Sequence, residues 1–156
     1  MRRRDFLAAS APAALATGAA APVLAAPSPA AARRPPRLRP GDTVGLVAPA
    51  SAIWESTDVE IALEVARAFS LEPRLGAHVR DRHGYLAGKD EDRAADVNRF
   101  FADPSVKAVL AITGGWGCAR LLPHLDWEAV RRNPKVVAGF SDITGLHCAL
   151  GAKTGL

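Results

Sequence analysis

The sequence predicts an α/β fold, an open and mainly parallel sheet with helices on both faces. Short, continuous apolar runs such as TVGLVAPAS and VKAVLAIT alternate along the chain with longer segments of helical periodicity. A parallel strand that is buried on both faces is apolar throughout, and each return to the next strand needs a crossover connection, usually a helix. The hydrophobic content of 49% in 156 residues is enough for one packed domain of this kind.

The first part of this pattern contains two predicted strands with a helix between them. Residues 43–51 are predicted to form a buried strand, and LGAHV at residues 75–79 a second one. Residues 56–69 are predicted to form a helix that starts at the capping residues Ser56 and Thr57. Apolar residues recur in this helix every three or four positions and predict one buried face: Val59, Ala62, Val65, Ala66 and Phe69.

The second part repeats the alternation of helices and strands. A helix with acidic residues at 90–92 and Pro104 beyond its end precedes the strongest predicted strand, residues 106–113. Two helical segments, CARLLPHL and DWEAVRRN, follow and are interrupted by Pro123. The strand KVVAG then leads to Ser141, and ITGLHCALGAK is predicted as the closing helix. In such a parallel sheet, the loops APAS, GGWG and GFSD should meet at the carboxyl ends of the strands.

The first residues have the pattern of an export signal. RRDFL at residues 3–7 resembles the twin-arginine motif. The Ala-rich run that follows is too weakly hydrophobic, and too interrupted by proline, for a stable membrane span. We therefore predict a twin-arginine signal peptide over residues 1–25, a Pro/Ala-rich linker over 26–38 and a folded domain over 39–156, in a periplasmic protein.

Charge and cysteine content argue against several classes of function. Residues 1–25 hold three arginines and one aspartate, so without them the formal charge falls from +4 to +2. The remaining charges of both signs are interleaved and form no basic stripe with aromatic residues, which argues against nucleic-acid binding. Cys118 and Cys148 lie in apolar contexts and are predicted to be two buried thiols. The two cysteines have no metal-binding spacing, and we expect neither a metal nor another cofactor.

The segment GGWG follows the strongest predicted strand. Gly114, Gly115 and Gly117 let backbone N–H groups approach a ligand closely, which suits a phosphate or an oxyanion. Phosphate binding would need a Lys-Ser/Thr pair or the third glycine of a dinucleotide fingerprint, and the residues CAR follow instead. By itself this segment indicates only a tight turn.

The segment GFSDI around Ser141 allows two interpretations. A serine between a strand and a helix is typical of an N-cap, but GFSDI also resembles the nucleophile elbow G-x-S-x-G without its last glycine. In an elbow, Gly139 relieves crowding, the Ser141 hydroxyl projects from the turn, and the N–H of Asp142 faces the same space. A nucleophilic serine needs a base, normally histidine, and His147 is predicted to point away within the closing helix.

Three separated segments together resemble the N-terminal half of an LD-carboxypeptidase: LVAPAS, RHGYLAGKDEDRAADVNRFFADPSVKAVLAITGGWGCARLLPHLDW and VVAGFSDITGLH. This family of serine peptidases includes the microcin-C immunity peptidases, and the resemblance runs from about Leu38 to Leu156. It implies the N-terminal nucleophile domain of a two-domain enzyme. Such enzymes release the terminal D-alanine of murein tetrapeptides with a Ser-His-Glu triad and no metal. The implied partner is a murein peptide, and the intact protein is expected to form a homodimer.

The resemblance also implies roles for particular residues. Ser141 matches the nucleophile in the family's G-x-S-D-x-T segment. The backbone N–H groups of Asp142 and Gly115 match the oxyanion hole, whereas Gly114 and Trp116 match substrate-binding positions. Trp116 replaces a tyrosine that many members have at this position.

Two departures from the family pattern affect the expected function. Thr113 stands where an arginine commonly precedes the two glycines, so carboxylate recognition at this position lacks that arginine. The family's glutamate and histidine lie in a C-terminal domain, beyond the point that Leu156 corresponds to. We therefore expect a truncated, inactive or incomplete carboxypeptidase. The alternative is a non-catalytic module that binds murein peptides, and a flavodoxin-like or amidotransferase-like nucleotide domain ranks last because no phosphate signature is present.

Overall fold

A computed structural model describes residues 32–156, so the predicted signal peptide and the first part of the linker lie outside the described residues. Four strands form one parallel sheet in the order β2-β1-β3-β4. The strands are β1 (Thr43–Val47), β2 (Glu72–Leu75), β3 (Val106–Ala111) and β4 (Val136–Ala138). The predicted α/β fold with a parallel sheet is therefore confirmed.

Helices connect these strands and cover both faces of the sheet. They are α1 (Ser56–Ala68), α2 (Asp90–Ala102), α3 (Trp127–Arg132) and α4 (Thr144–Thr154). Helices α2, α3 and α4 share the main core with side chains of β3, whereas Ala66 of α1 packs with Val44 and Ala108. Neighbouring strand residues point to opposite faces. Accordingly, a Cβ atom added at Gly45 would lie 2.3 Å from Phe100 of α2, so only glycine lets α2 approach β1 this closely.

Several element boundaries differ from the sequence-based prediction. Strand β1 ends at Val47 rather than at the predicted residue 51, and β3 ends at Ala111 rather than at residue 113. In both cases the last predicted residues already belong to the loop that follows the strand. The second strand is β2 rather than residues 75–79, since its backbone pairs with β1 from Glu72 onwards. Edge strand β2 is only partly buried and lacks the apolar run that predicts a buried strand. The segment CARLLPHL forms a 3₁₀ helix with Pro123 inside it.

The start of α1 is also different from the prediction. Ser56 and Thr57 do not cap the helix: Glu55 occupies the N-cap position in an extended conformation, and no side chain accepts a capping hydrogen bond. These first residues are exposed, so water can satisfy the free N–H groups of the first turn.

The predicted buried face of α1 is only partly covered. Val59 and Ala66 are buried, but Val65 and Phe69 have 50% and 73% of their surface exposed. These exposed side chains border a groove that is closed on its other side by apolar residues of β3 and β4. No helix in residues 32–156 has the length and the apolar character needed to cross a membrane.

Candidate active site

The loops that follow β1, β3 and β4 meet at the carboxyl edge of the sheet, as the sequence predicts. The backbone N–H and the hydroxyl of Ser51 both donate to the carbonyl oxygen of Gly114, at 3.2 and 2.7 Å. The N–H of Cys118 donates to Oδ2 of Asp142 at 2.7 Å. These hydrogen bonds join the three loops into one site next to Ser141.

The backbone of Ser141 distinguishes between the two interpretations of GFSDI. Its φ of +59° lies in the left-handed region, whereas an N-cap residue has an extended backbone. Phe140 occupies the N-cap position of the short 3₁₀ helix Ser141–Ile143, and no side chain caps that helix. The capping interpretation is therefore wrong. A left-handed serine is strained by about 1–2 kcal/mol, and strain of this kind is concentrated at functional sites.

Glycine residues let the backbone approach this serine. A Cβ atom added at Gly114 would lie 3.2 Å from Cβ of Ser141 and 3.6 Å from the backbone nitrogen of Asp142. One added at Gly139 would lie 2.7 Å from Cγ2 of Ile143, so the turn after β4 also needs glycine. The nucleophile position, the N–H of Asp142 and the glycine turn thus border the same space. That the backbone N–H groups bind an oxyanion stays a prediction.

Gly115 is the most restricted residue of the glycine turn. Its φ is +107°, and an added Cβ atom would lie 2.2 Å from Oγ of Ser51 and 2.9 Å from the hydroxyl of Tyr85. Both the backbone conformation and the space therefore require glycine.

The side chain of Asp142 has a role that the sequence did not predict. The sequence analysis assigns only the backbone N–H of Asp142 to the site. In the structure its carboxylate accepts the N–H of Cys118, the first residue of the 3₁₀ helix after the glycine turn. The carboxylate therefore holds the glycine turn against the elbow.

Exposed aromatic side chains surround the loops of the site. Trp116, which the sequence predicts to bind substrate, is 59% exposed, and Phe140 beside Ser141 is 74% exposed. Tyr85 is also exposed, although its hydroxyl lies near Gly115. Sequence analysis did not single out Tyr85 or Phe140. The one signal in the sequence that could have identified Phe140 as part of the site was its position directly before Ser141.

No histidine among the described residues forms a hydrogen bond with Ser141. Nδ1 of His78 bonds to Oδ2 of Asp81 at 2.8 Å, and this hydrogen bond raises the pKa of His78. Nε2 of His147 is buried without a partner, and the ring lines a pocket with Lys135 at the start of β4. Within residues 32–156, Ser141 is therefore a candidate nucleophile with no histidine hydrogen-bonded to it.

The two cysteines differ in burial, and the prediction of two buried thiols is wrong for one of them. Cys118 is buried, whereas Cys148 on α4 is exposed, and both are free thiols. Burial, followed by the negative charge of Asp142, raises the pKa of Cys118 to about 11. A thiol with such a pKa is largely protonated near neutral pH, which makes Cys118 a poor rival nucleophile.

Within residues 32–156, one cluster of possible metal ligands lies outside these loops. His78, Asp81 and Asp92 have ligand atoms within 4.8 Å of one another, and the cluster is partly exposed. His78 and Asp81 lie between β2 and α2, Asp92 lies in the first turn of α2, and none of the three forms a hydrogen bond with Ser141. Exposed acidic groups are often found together without a metal, and nothing connects this cluster with the site.

Comparisons with known proteins agree on one family. The family model of the LD-carboxypeptidase N-terminal domain matches residues 44–156. A Streptomyces coelicolor protein with a provisional carboxypeptidase name is 48% identical over 127 residues, covering 79% of this chain and 41% of that protein. The murein tetrapeptide carboxypeptidase of Pseudomonas aeruginosa is 44% identical over 108 residues, covering 68% of this chain and 34% of that protein.

Solved structures show the same similarity in three dimensions. The crystal structure of an MccF-like protein from Bacillus anthracis matches with a TM-score of 0.74 and 31% identity. The match covers 78% of this chain and 38% of that one. The chain thus spans between 34% and 41% of the length of these relatives.

Proposed function

The chain belongs to the LD-carboxypeptidase family, and from this premise we propose that it provides the nucleophile domain of a serine carboxypeptidase acting on murein tetrapeptides. The observation that carries the proposal is the left-handed backbone of Ser141 in the turn after β4, with Gly114 packed against it. The substrate class is supported by the identity with the murein tetrapeptide carboxypeptidase of Pseudomonas aeruginosa. The intact protein is proposed to be a homodimer.

In the proposed reaction, the hydroxyl oxygen of Ser141 attacks the carbonyl carbon of the peptide bond that precedes the terminal D-alanine. A base takes the hydroxyl proton and passes it to the leaving amine, so D-alanine departs and an acyl-enzyme remains. The N–H groups of Asp142 and Gly115 stabilise the negative charge that develops on the carbonyl oxygen. Water then hydrolyses the ester and restores the hydroxyl. The base and its carboxylate are proposed to lie outside residues 32–156, as the family resemblance implies.

A second candidate function is binding of murein peptides without cleavage. The observation that favours it is the lack of a hydrogen bond between Ser141 and any histidine of the described residues. The exposed rings of Trp116, Phe140 and Tyr85 suit the binding of a peptide in either case, because they offer a large apolar surface at a small entropic cost.

Release of D-alanine from an L,D-tetrapeptide tests the catalytic proposal. The full chain is assayed alone and together with a separately expressed C-terminal domain from an intact relative. We expect free D-alanine and a tripeptide at least in the combined assay, with no loss of activity after addition of a chelator. Binding of the tetrapeptide without D-alanine release in either assay would support the second candidate.

Two substitutions test the assignment of the nucleophile in that assay. Ser141→Ala should abolish D-alanine release, because no other hydroxyl occupies the turn. Cys118→Ala should retain most of the activity, because the buried thiol has a raised pKa. The reverse result, with an active Ser141→Ala and an inactive Cys118→Ala variant, would overturn the site assignment.

We also propose that the chain is exported to the periplasm by the twin-arginine route. RRDFL at residues 3–7 supports this proposal. Replacing Arg3 and Arg4 together by lysine should leave the precursor in the cytoplasm, which fractionation and immunoblotting measure. Unchanged export of the double variant contradicts the proposal.

A further inference from the structure

Arg93 on α2 is a buried cation next to the candidate site. The residue is only 2% exposed, and its Nη1 donates to the carbonyl oxygens of Pro49 at 2.6 Å and of Gly117 at 3.2 Å. Its Nη2 pairs with the carboxylate of Asp90, one turn earlier in the same helix. Burying a guanidinium costs several kcal/mol unless its partners are well placed. The two Nη atoms of Arg93 are therefore committed to two loop carbonyls and one carboxylate, whereas its Nε is buried without a hydrogen-bond partner.

The two carbonyls belong to two different loops of the site. Pro49 lies two positions before Ser51, which donates twice to the carbonyl of Gly114. Gly117 directly precedes Cys118, whose N–H donates to the carboxylate in the elbow. The guanidinium thus connects the loop after β1 with the far end of the glycine turn, and the glycine turn is in turn bonded to the elbow.

The same network extends to the aromatic surface of the site. Nε of Arg120 donates to both carboxylate oxygens of Asp90, at 3.0 and 2.9 Å. The Arg120 guanidinium lies 5.9 Å from the ring centre of Trp116. Hydrogen bonds from Arg120 and from Arg93 lower the pKa of Asp90, so this carboxylate stays ionised and pairs with both cations.

We propose that Arg93 is a positioning residue for the oxyanion-binding backbone, an inference that rests on the proposed function. By holding the carbonyls of Pro49 and Gly117 at a fixed separation, Arg93 directs the N–H of Gly115 towards the space beside Ser141. A lysine keeps the charge but has a single ammonium group on a flexible stem. It therefore does not place one nitrogen at the two carbonyls and a second nitrogen at Asp90, as the guanidinium does. The role is indirect, because Arg93 contacts the turn and not the substrate.

Amide hydrogen exchange of the full chain tests the inference without any need for turnover. Arg93→Lys is compared with the wild type and with Arg67→Lys, a matched change at an exposed position in the last turn of α1. We expect exchange of the Cys118 amide, which is bonded to Asp142, to become at least about tenfold faster in Arg93→Lys, because the glycine turn opens more easily without the guanidinium on the carbonyl of Gly117. Exchange in β1 and β3 should remain as in the wild type, and Arg67→Lys should change neither region. Unchanged exchange of the Cys118 amide in Arg93→Lys overturns the inference.

Steady-state kinetics of D-alanine release separates positioning from a merely structural role. Loss of an oxyanion donor typically lowers kcat by about 10²–10³-fold, so we expect a fall of about 10-fold or more for Arg93→Lys, with KM little changed. Arg93→Met is the second variant, because replacing a buried ion by an apolar side chain of similar volume often preserves stability. A stable Arg93→Met variant with wild-type kcat would show that Arg93 only supports folding, and would overturn the inference. If the wild-type chain releases no D-alanine either alone or with the separately expressed C-terminal domain, the proposed catalytic function fails, and the exchange measurement still decides the role of Arg93.

Discussion

Ser141 keeps a strained backbone at a position where glycine would be relaxed. Its φ of +59° is unfavourable for any residue with a Cβ atom. Glycine would relieve this strain, but it would also remove the hydroxyl that the proposed function requires. Ser70 provides a natural comparison, because it has a φ of 58° directly after the C-cap of α1, outside the site.

Replacing Ser141 by glycine should therefore stabilise the protein. We expect Ser141→Gly to raise the free energy of unfolding by about 0.5–1 kcal/mol, because relief of strain exceeds the extra entropy of glycine in the unfolded chain. Ser141→Ala keeps the Cβ atom and should leave the free energy nearly unchanged. Urea denaturation measures both, with Ser70→Gly as the control for strain outside the site. Equal stabilities of the glycine and alanine variants at position 141 would show that the turn is not strained.

The two thiols should differ in reactivity. Cys148 is exposed, whereas Cys118 is buried with a pKa raised to about 11. Iodoacetamide at about pH 8 should modify Cys148 in the folded protein and leave Cys118 unmodified, because only thiolates react. Peptide mass spectrometry after labelling measures both sites, and labelling in urea is the control in which both should react. Rapid modification of folded Cys118 would contradict its burial.

At the scale of elements, the glycine turn after β3 determines how the three loops fit together. Gly115 has a positive φ and also lacks room for a Cβ atom, because Ser51 lies against it. Gly84 has a positive φ as well, but no atom lies within 4 Å of an added Cβ. A side chain at position 84 would therefore cause backbone strain alone, whereas a side chain at position 115 would cause both strain and a steric clash.

Alanine at these two positions should have unequal effects on stability. We expect Gly84→Ala to lower the free energy of unfolding by about 1 kcal/mol through strain alone. Gly115→Ala should lower it by about 3 kcal/mol, because Ser51 has to move and its hydrogen bonds to Gly114 weaken. Thermal and urea denaturation measure the difference. Similar losses at both positions would mean that the loop after β1 adapts to the added methyl group.

At the scale of the whole molecule, an apolar groove lies beside α1 and extends to Thr113, the residue before the glycine turn. It has a volume of about 860 Å³ and lies between α1 and the sheet, lined by residues that include Ile61, Val65, Phe69 and Leu110. Contiguous apolar surfaces of this kind favour association.

This groove should make the purified chain self-associate. We expect light scattering to show a molecular mass above that of the monomer, which increases with protein concentration. Val65→Glu should reduce the association, because it introduces a charge into the apolar surface. Arg67→Glu is the control on the same helix, since residue 67 does not line the groove. A wild-type chain that is monomeric at all concentrations would contradict the prediction.

Much of the fold was predictable because its signals are local. Apolar runs and helical periods identified the strands and helices, and the rule that ligand loops lie at carboxyl ends of parallel strands brought the loops of Ser141 and Gly114 together. Strand β2 was misplaced because a short edge strand is defined by pairing with β1, and its own residues are not strongly apolar. The exposure of Val65 was also missed, since helical periodicity identifies an apolar face but not what covers it.

The sequence by itself determined the fold class, the family and the position of the candidate nucleophile, because each depends on patterns carried by neighbouring or regularly spaced residues. Only the tertiary structure decided that Ser141 is left-handed rather than an N-cap, and that the carboxylate of Asp142 holds the glycine turn. It alone connected Arg93 with Pro49 and Gly117. The physical reason is that these contacts join residues far apart in the chain, so no local preference encodes them. A hydrogen bond between two loops exists only after the sheet has brought the loops together.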